Sequence, residues 1–333
     1  MSSWANRHLP RKRDISQIPS EFRPQIVPRV NQPQVIQSET FQKVANEVIY
    51  PVVGEQKGKK PEPIDKRQYV LKKVEAHPSR LAVELTHKNQ SYVFVILRHI
   101  RHTRDNDLWI SSYNSIRKYY TNKIVIIDDN SQVNTVNGKL VNTDILTSEW
   151  NGAGEILPYY YFLQYKWADK MIFIHDSMFL NRPFRDSELE DSVRFHWHFH
   201  PTKEDKKLET YLSLLHHSKE LVSYASTSKW MGCFGATSII GLEVITYLEE
   251  QYALFSQLTV AIRTRADREL FERILGIILF YEGIIDEMNC SNVGDILSYP
   301  GAFESEHVSM ESAANVLSQR NYDSPIGKIW RGR

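Results

Sequence analysis

The segment KIVIIDDNS at residues 123–131 gives the clearest indication of how this chain folds. Its apolar run at residues 124–127 is long enough for one buried β-strand and too short for a helix. The run ends at Asp128 and Asp129, and two turn-favouring residues follow. Open α/β sheets form their ligand crevices outside the carboxyl ends of the strands. The stretch therefore predicts both a core strand and a binding site at its end.

A second stretch repeats this design. MIFI at residues 171–174 is another short apolar run, and it ends in His175, Asp176 and a serine. An earlier apolar run at residues 92–97 is followed by a segment with helical periodicity at residues 109–120. Strand, helix and strand in this order form a βαβ unit, which implies parallel pairing. We therefore expect an α/β fold with a central, mostly parallel sheet flanked by helices.

Charge and composition argue against several classes of protein. The chain has 333 residues, with 41 Lys and Arg against 40 Asp and Glu, so no overall field favours nucleic acid or a membrane surface. Two cysteines, Cys233 and Cys290, give neither a disulfide framework nor a zinc spacing. No window approaches the ~18 apolar residues of a membrane span. We expect a cytoplasmic protein that binds no nucleic acid and has no transmembrane segment.

The chain divides into four parts by composition. Residues 1–65 are rich in proline and lack apolar periodicity, which predicts a disordered extension. Residues 66–90 carry mixed charge and form a lead-in segment. The main domain is expected at residues 91–305. Residues 306–333 form a C-terminal tail with several cations close to its end.

Four segments, in this order along the chain, resemble the GT-A type of nucleotide-sugar glycosyltransferase, nearest to the large family 2 group. They are VFVILRHI at 93–100, IIDDNS at 126–131, IFIHDSMFL at 172–180, and GCFG at 232–235 with RADREL at 265–270 behind it. The resemblance implies a GT-A, Rossmann-like fold. It also implies metal-assisted transfer of a sugar from a nucleoside-diphosphate sugar to a hydroxyl acceptor, which would be a glycan, a protein or a lipid-linked molecule.

The chain departs from this family at three of the segments, and in the last of them Ala266 stands where the family often has Glu before the aspartate. The first strand ends in Arg98-His99, where the family has a small hydroxyl residue, an aromatic residue and Asn. The metal motif keeps a single carboxylate, Asp176. Weakened motifs of this kind also occur in proteins that kept the fold and lost turnover. The sequence is also similar in character to transferase-like proteins of large DNA viruses, which would place it in the cytoplasm of an infected host cell.

The resemblance implies roles for the residues after the two acid-tipped strands. Asp129 would contact a uracil-type base, Asp128 would shape the turn or meet the ribose, and Ser131 completes this donor motif. An Asx turn that closes the strand is the alternative interpretation. Asp176, with His175 as a second ligand, would hold the Mg²⁺ or Mn²⁺ ion that bridges the two phosphates of the donor.

Further residues are candidates for the general base, for the positive charge that neutralises the diphosphate, and for the acceptor site. Asp267 would be the general base, although Thr264-x-x-Asp267 also matches a helix cap. Trp230 and Phe234, with Gly232 between them, would form a platform for the acceptor sugar, with core packing as the alternative. The cations expected to meet the diphosphate are Arg98, Arg101, Lys328, Arg331 and Arg333. The tail at residues 306–333 would then close over the donor site, and a frayed C-terminus is the alternative.

The sequence also contains His196, His198 and His200, which would share one face of a strand. They could form a metal site, but neighbours on one face of a strand lie ~6.5–7 Å apart and converge poorly on one ion. Cleft-lining or structural roles are the alternative.

Three functions remain open at this point. The first is a glycosyltransferase. The second is a non-catalytic GT-A-like protein that binds a nucleotide or glycan or acts as a scaffold, which the lone carboxylate of the metal motif favours. The third is a nucleotidyltransferase, a class that shares the sheet and its need for Mg²⁺. That class usually begins with a glycine-rich, basic signature, which this sequence lacks.

Overall fold

The computed structural model describes residues 90–102, 105–132, 139–201, 206–300, 310–320 and 322–329. The predicted disordered extension lies outside the described residues, as does the lead-in segment except for Gln90. Arg331 and Arg333 lie outside them too. The predicted domain boundaries therefore stay predictions.

The strands, in chain order, are β1 (Tyr92–Arg98), β2 (Ile124–Asp128), β3 (Thr143–Thr147), β4 (Lys170–His175), β5 (Met178–Leu180), β6 (Val193–Phe199), β7 (Gly232–Cys233), β8 (Ser238–Gly241), β9 (Ser291–Asp295) and β10 (Ile326–Lys328). The central sheet has the order β3-β2-β1-β4-β8-β6-β7, and β9 pairs with β6. Strands β3, β2, β1 and β4 are parallel to one another, and β8 runs antiparallel to β4 and β6.

The helices are α1 (Asn106–Arg117), α2 (Leu157–Tyr165), α3 (Asp186–Leu189), α4 (Lys206–Leu212), α5 (Ser218–Thr227), α6 (Leu242–Tyr252), α7 (Leu254–Ala261), α8 (Arg265–Tyr281) and α9 (Met310–Gln319). Short 3₁₀ turns lie at Gly154–Ile156, Phe234–Ala236 and Ile296–Ser298. The predicted α/β fold, with a central mostly parallel sheet flanked by helices, is confirmed. Within the described residues, no helix is both long enough and apolar enough to cross a bilayer.

Both faces of the sheet are covered, which explains why β1, β2 and β4 read as continuous apolar runs. One core lies between the sheet and α2, α6, α7 and α8, and it contains Tyr159, Phe255 and Ile274. The other lies beneath α1, α9 and the strand pair β5–β10, and it contains Trp109 and Leu317. Because both faces of the sheet are covered, polar side chains can reach solvent at the edge where the strands end.

The C-terminal segment folds against the strand that follows the His-Asp-Ser sequence. Strand β10 pairs antiparallel with β5, and Lys328 lies opposite Met178. The backbone N–H of Ile329 donates to Ser177 O at 3.0 Å. The hydroxyl of Tyr299 accepts from the N–H of Lys328 at 2.8 Å and donates to its carbonyl at 3.1 Å. These bonds fix the position of Lys328 next to the end of β4.

Candidate functional site

Three parallel strands end side by side at the carboxyl edge of the sheet. In the strand register Arg98 pairs with Asp128, and Leu97 pairs with His175. The residues that follow β2 and β4, Asp129 and Asp176, therefore lie on the two sides of the end of β1. The structure thus brings both predicted acidic motifs to one edge.

His99 connects the two motifs. Its backbone N–H donates to the Asp176 carboxylate at 3.4 Å, and its ring Nδ1 lies 2.6 Å from the carbonyl oxygen of Asp129. A carbonyl oxygen only accepts hydrogen bonds, so Nδ1 carries the ring proton. His99 therefore bridges the two acid-tipped strands.

Arg98 and Asp128 form a buried ion pair. The Arg98 Nε lies 2.6 Å from Asp128 Oδ2, and their side chains are 0% and 4% exposed. The guanidinium also lies over the ring of Trp109, at 4.9 Å from its centroid. Asp128 Oδ1 accepts the N–H of Ser131 at 2.9 Å, and the Ser131 hydroxyl accepts the N–H of Ile100 at 2.8 Å. Asp128 thus closes the turn after β2 through the N–H of the residue three positions on, and nucleotide contacts by Arg98, Asp128 and Ser131 stay predictions.

Asp129 holds the loop that precedes α2. Its two carboxylate oxygens accept the backbone N–H groups of Gly152 and Gly154 at 2.7 and 3.0 Å. Both glycines have positive φ, +80° and +59°, a conformation that other residues rarely adopt. Burial raises the pKa of Asp129, although the two amide bonds and the nearby Arg268 and His99 oppose this effect. Contact between Asp129 and a base stays a prediction.

His175 lies between a glycine and a lysine. Its Nε2 lies 2.9 Å from the carbonyl oxygen of Gly235, and its Nδ1 lies 3.3 Å from Lys328 Nζ. The carbonyl accepts from Nε2, and the ammonium donates to Nδ1, so both ring nitrogens have a partner. Gly235 has φ +63°, and a Cβ there would lie 2.9 Å from the His175 ring. Glycine is therefore required for this close approach.

Lys328 reaches this site from the C-terminal segment. The residue is 6% exposed. Its Nζ lies 3.4 Å from the hydroxyl oxygen of Ser177 and 5.7 Å from the ring centroid of Phe234. Lys328 therefore lies beside the segment His175-Asp176-Ser177, and its predicted contact with a diphosphate stays a prediction. Arg101, in contrast, is exposed.

Two further carboxylates, which the sequence did not indicate as site residues, lie in this region: Glu155 beside His175, and Glu272, which interacts with the backbone of Gly235. Glu155 is 3.0 Å from Arg268 Nε and 3.9 Å from His175 Nε2. Burial raises the pKa of Glu155, and Arg268 opposes this effect. Burial raises the pKa of Glu272 well above its ordinary value, and the charge of Glu155 adds to the shift. Two features of the sequence could have indicated these residues: the segment GAGE before α2 for Glu155, and a lone carboxylate on the apolar side of α8 for Glu272.

Asp267 belongs to the cap of α8. Its carboxylate accepts the N–H groups of Thr264 at 2.8 Å and Arg263 at 3.1 Å, and the Thr264 hydroxyl accepts the N–H of Asp267 at 3.3 Å. Lys207 Nζ lies 2.6 Å from its other oxygen. Burial alone would raise the pKa of Asp267, but these bonds outweigh it and hold the pKa below the usual range. The geometry is that of a capping box, and the predicted role as general base stays a prediction.

The three residues predicted for the acceptor have different surroundings. Trp230 is 6% exposed and donates its indole N–H to Ala225 O at 3.0 Å, within the core. A Cβ on Gly232 would meet the ring of Phe199 at 2.0 Å. Phe234 is half-buried and lies beside Lys328. Of these three residues, Phe234 is therefore the one that lies beside Lys328.

His196 and His198 lie on β6 and His200 directly follows it, and the three histidines do not share one environment. His196 is completely buried, and its Nε2 donates to the carbonyl of Phe173 at 3.1 Å. Burial lowers its pKa to about 3. His198 Nδ1 lies 2.8 Å from the hydroxyl of Ser291, and its ring centroid is 5.5 Å from that of His200. The geometry thus favours structural roles for His196 and His198.

Whether a divalent metal fits this site depends on which oxygen and nitrogen atoms are available as ligands. Asp176 provides one carboxylate, while both nitrogens of His175 are engaged with Gly235 and Lys328. Throughout the part of the chain that the structure describes, no three His, Cys, Asp or Glu side chains are arranged to hold an ion. A hard cation prefers several oxygen ligands. The predicted pair Asp176 and His175 therefore does not fit a metal in this arrangement.

A cavity of about 630 Å³ lies at the opposite edge of the sheet, near the first residues of β1 and β4. Its lining includes Gln90, Asp169, Glu243, Tyr247 and Glu250. Three carboxylates in one cavity repel an anionic nucleotide. We therefore place the candidate site at the carboxyl edge, where a lysine and two acidic motifs meet.

Comparisons with known proteins give structural neighbours but no family. No protein-family model matches this sequence, and no curated protein matches it. The chain is similar to GalNAc-T7 in its complex with UDP, GalNAc and Mn²⁺, with 20% identity over 27% of this chain and 18% of that one, at a TM-score of 0.23. It is similar to S. aureus TarS 1–349 in complex with UDP, with 11% identity over 55% of this chain and 54% of that one, at a TM-score of 0.31.

A third neighbour is Core-mannan synthase A (CmsA/Ktr4) from Aspergillus fumigatus in its Mn/GDP form. The identity is 11% over 57% of this chain and 70% of that one, and the TM-score is 0.37. The chain thus spans about a fifth of GalNAc-T7 and about half of TarS 1–349. At these identities, and with TM-scores below 0.5, the function has to be argued from the site itself.

Proposed function

We propose that this protein is a GT-A-type glycosyltransferase whose donor, a nucleoside-diphosphate sugar, binds at the carboxyl edge of β1, β2 and β4. One observation carries the proposal. Asp129, Asp176 and Lys328 come from three distant parts of the chain, and the strand register together with the β5–β10 pairing brings them to one edge. Acidic groups for nucleoside hydroxyl or N–H groups beside a buried cation for phosphate suit such a donor.

The donor would lie across this edge with its base toward the end of β2 and its diphosphate toward Lys328. Ser131 and Asp128 hold the β2 turn on the base side, where Asp128 is also paired with Arg98. Phe234 offers an apolar ring beside the ammonium, which suits the transferred sugar. Trp230 and Gly232 support this segment from within the core, and Arg331 is a further cation that could meet the phosphates.

The reaction has simple chemical requirements. The acceptor hydroxyl oxygen attacks the anomeric carbon, and the bond from that carbon to the diphosphate oxygen breaks. The nucleoside diphosphate leaves with the bonding electron pair, and the acceptor proton passes to a carboxylate. Negative charge grows on the leaving oxygen as this bond breaks, so a fixed cation nearby lowers the barrier. Lys328 is the cation that we assign to this role.

Two carboxylates are candidates for the base. Asp267 is the residue that the family resemblance indicates, but its lowered pKa makes it a weak acceptor of protons. Glu155 lies 3.9 Å from His175 Nε2, and its raised pKa makes it the stronger base of the two. The variants Glu155→Gln and Asp267→Asn show which of the two carboxylates is the base. Loss of the base should lower kcat by ~10²-fold or more and leave donor binding unchanged.

A non-catalytic nucleotide-binding protein is the second candidate function, and the lone carboxylate in His175-Asp176-Ser177 favours it. The test is to incubate the purified protein with UDP- and GDP-sugars and to follow release of UDP or GDP by phosphorus NMR. Release that is lost in Lys328→Met supports the transferase. Nucleotide binding without release supports the binding protein, and pyrophosphate release from a nucleoside triphosphate and a sugar phosphate would indicate a nucleotidyltransferase instead.

A further inference from the structure

We infer that the Lys328 ammonium takes the place of a divalent cation in neutralising the donor's diphosphate, so that nucleotide binding is independent of metal. This inference rests on the proposed function and concerns the same site. It departs from the metal site that the family resemblance implies, where Asp176 and His175 would be the ligands.

The first argument concerns the positions of the atoms that would bind a metal. The resemblance implies His175 as the second metal ligand beside Asp176, but Nε2 is 2.9 Å from the Gly235 carbonyl and Nδ1 is 3.3 Å from Lys328 Nζ. The ammonium thus lies where a cation bound to Nδ1 would lie. Two cations in one place repel each other strongly in a buried site. Lys328 therefore competes with a metal for this position.

The burial of Lys328 carries the second step. At 6% exposure this residue has lost most of its contact with water, which strengthens its interaction with any charged group that binds beside it. Its neighbours at Nζ include the neutral Ser177 hydroxyl at 3.4 Å, the His175 ring and the face of Phe234. A site of this kind is more favourable for the ammonium once a dianionic phosphate group is bound. The lysine is thus preorganised for an anionic ligand.

The backbone carries the third step. Lys328 is the last residue of β10, and it is held by the antiparallel pairing with β5 and by the two hydrogen bonds between its backbone and the Tyr299 hydroxyl. A cation fixed in this way needs no further ordering when the diphosphate binds. The same rigidity distinguishes Lys328 from a surface lysine such as Lys118, whose Nζ lies 5.2 Å from the ring of Tyr119 on an exposed helix end.

Calorimetric titration of the full chain tests this inference. UDP, GDP, uridine and guanosine are titrated in EDTA and again in MnCl₂. We expect at least one diphosphate to bind in EDTA with a Kd within about threefold of its value in MnCl₂. Lys328→Met should weaken that diphosphate about tenfold or more and leave the nucleoside unchanged, and Lys328→Arg should keep most of the affinity because it keeps the charge. Lys118→Met is the matched control and should bind as the wild type does.

The outcomes separate the inference from the proposed function. Tightening of UDP or GDP binding by Mn²⁺ of tenfold or more in the wild type would overturn the inference and leave the glycosyltransferase proposal in place. An unchanged Kd in folded Lys328→Met, judged by its thermal unfolding, would overturn it as well. Absence of binding by both diphosphates in both buffers would contradict the proposed function, and the inference with it.

Discussion

Arg98 and Asp128 are register partners at the last positions of β1 and β2, and their side chains form an ion pair of 2.6 Å that is almost completely buried. The pair closes the edge of the sheet directly beneath the candidate site. Asp128 also fixes the turn that follows through the N–H of Ser131. The position of Asp129, one residue further on, therefore depends on this pair.

We expect Arg98→Met to lower the free energy of unfolding by about 3–5 kcal/mol, because it leaves the buried Asp128 carboxylate without its partner. Urea denaturation measures this loss. The double variant Arg98→Met/Asp128→Leu removes both charges, and it should be destabilised by less than the sum of the two single changes. Simple additivity would show that the two side chains act independently.

Asp129 accepts two backbone N–H groups, so it needs two acceptor oxygens. Asparagine has one acceptor oxygen and turns an NH₂ group toward the second donor. We therefore expect Asp129→Asn to destabilise the fold by about 1–3 kcal/mol, close to the loss in Asp129→Ala. Asp144→Asn breaks an exposed pair with Lys123 and serves as the control, with an effect of about 0–1 kcal/mol. A fully stable Asp129→Asn would mean that Gly152 and Gly154 find other acceptors.

The capping box of α8 gives a prediction with a defined pH dependence. Asp267 has a lowered pKa in the folded state, so its contribution is complete above the unfolded value of about 3.8 and is lost as the pH falls through the folded pKa. Asp267→Asn should therefore destabilise the protein at pH 7, and the difference from the wild type should shrink as the pH falls below about 3.8.

A second variant separates the cap from catalysis. Thr264→Ala removes the other half of the box and should cost about 1 kcal/mol of stability without changing kcat. If Asp267→Asn lowers kcat by ~10²-fold while Thr264→Ala leaves it unchanged, Asp267 acts in the reaction and not only in the cap.

His196 is expected to make the fold sensitive to acid. Its pKa is lowered to about 3 by burial, so between pH 6.5 and 3 the unfolded chain binds a proton that the folded chain does not. The free energy of unfolding should therefore fall by about 1.4 kcal/mol per pH unit from this residue as the pH decreases in that window. Denaturation of wild type and His196→Phe from pH 7 to 5 checks this. The same slope in both proteins would assign the acid sensitivity to other groups.

The parts of the fold that could be predicted are those that short segments determine. The apolar runs of β1, β2 and β4 allow few structures other than buried strands, and parallel pairing places their final residues at one edge. Asp129 and Asp176 could therefore be assigned to a common edge from the sequence. The helical period of α8 and the Thr264–Asp267 cap are likewise local patterns.

The remaining features depend on contacts between distant segments. The approach of Lys328 to His175 depends on the β5–β10 pairing, which a three-residue strand does not reveal. Trp230 beside glycines gives the same local signal for a sugar platform and for a core residue, and tertiary packing decides between them. Glu155 is a site candidate because it lies close to Arg268 and His175, and these two residues belong to other elements of the fold.

The most direct measurement is a crystal structure of the protein with the nucleoside diphosphate that binds it. We expect the diphosphate at the carboxyl edge of β1, β2 and β4, with a phosphate oxygen about 3 Å from Lys328 Nζ and the base toward the Asp129 turn. A nucleotide bound in the cavity beside Asp169 and Glu250, or a diphosphate out of reach of Lys328, would show that the proposed donor site is wrong.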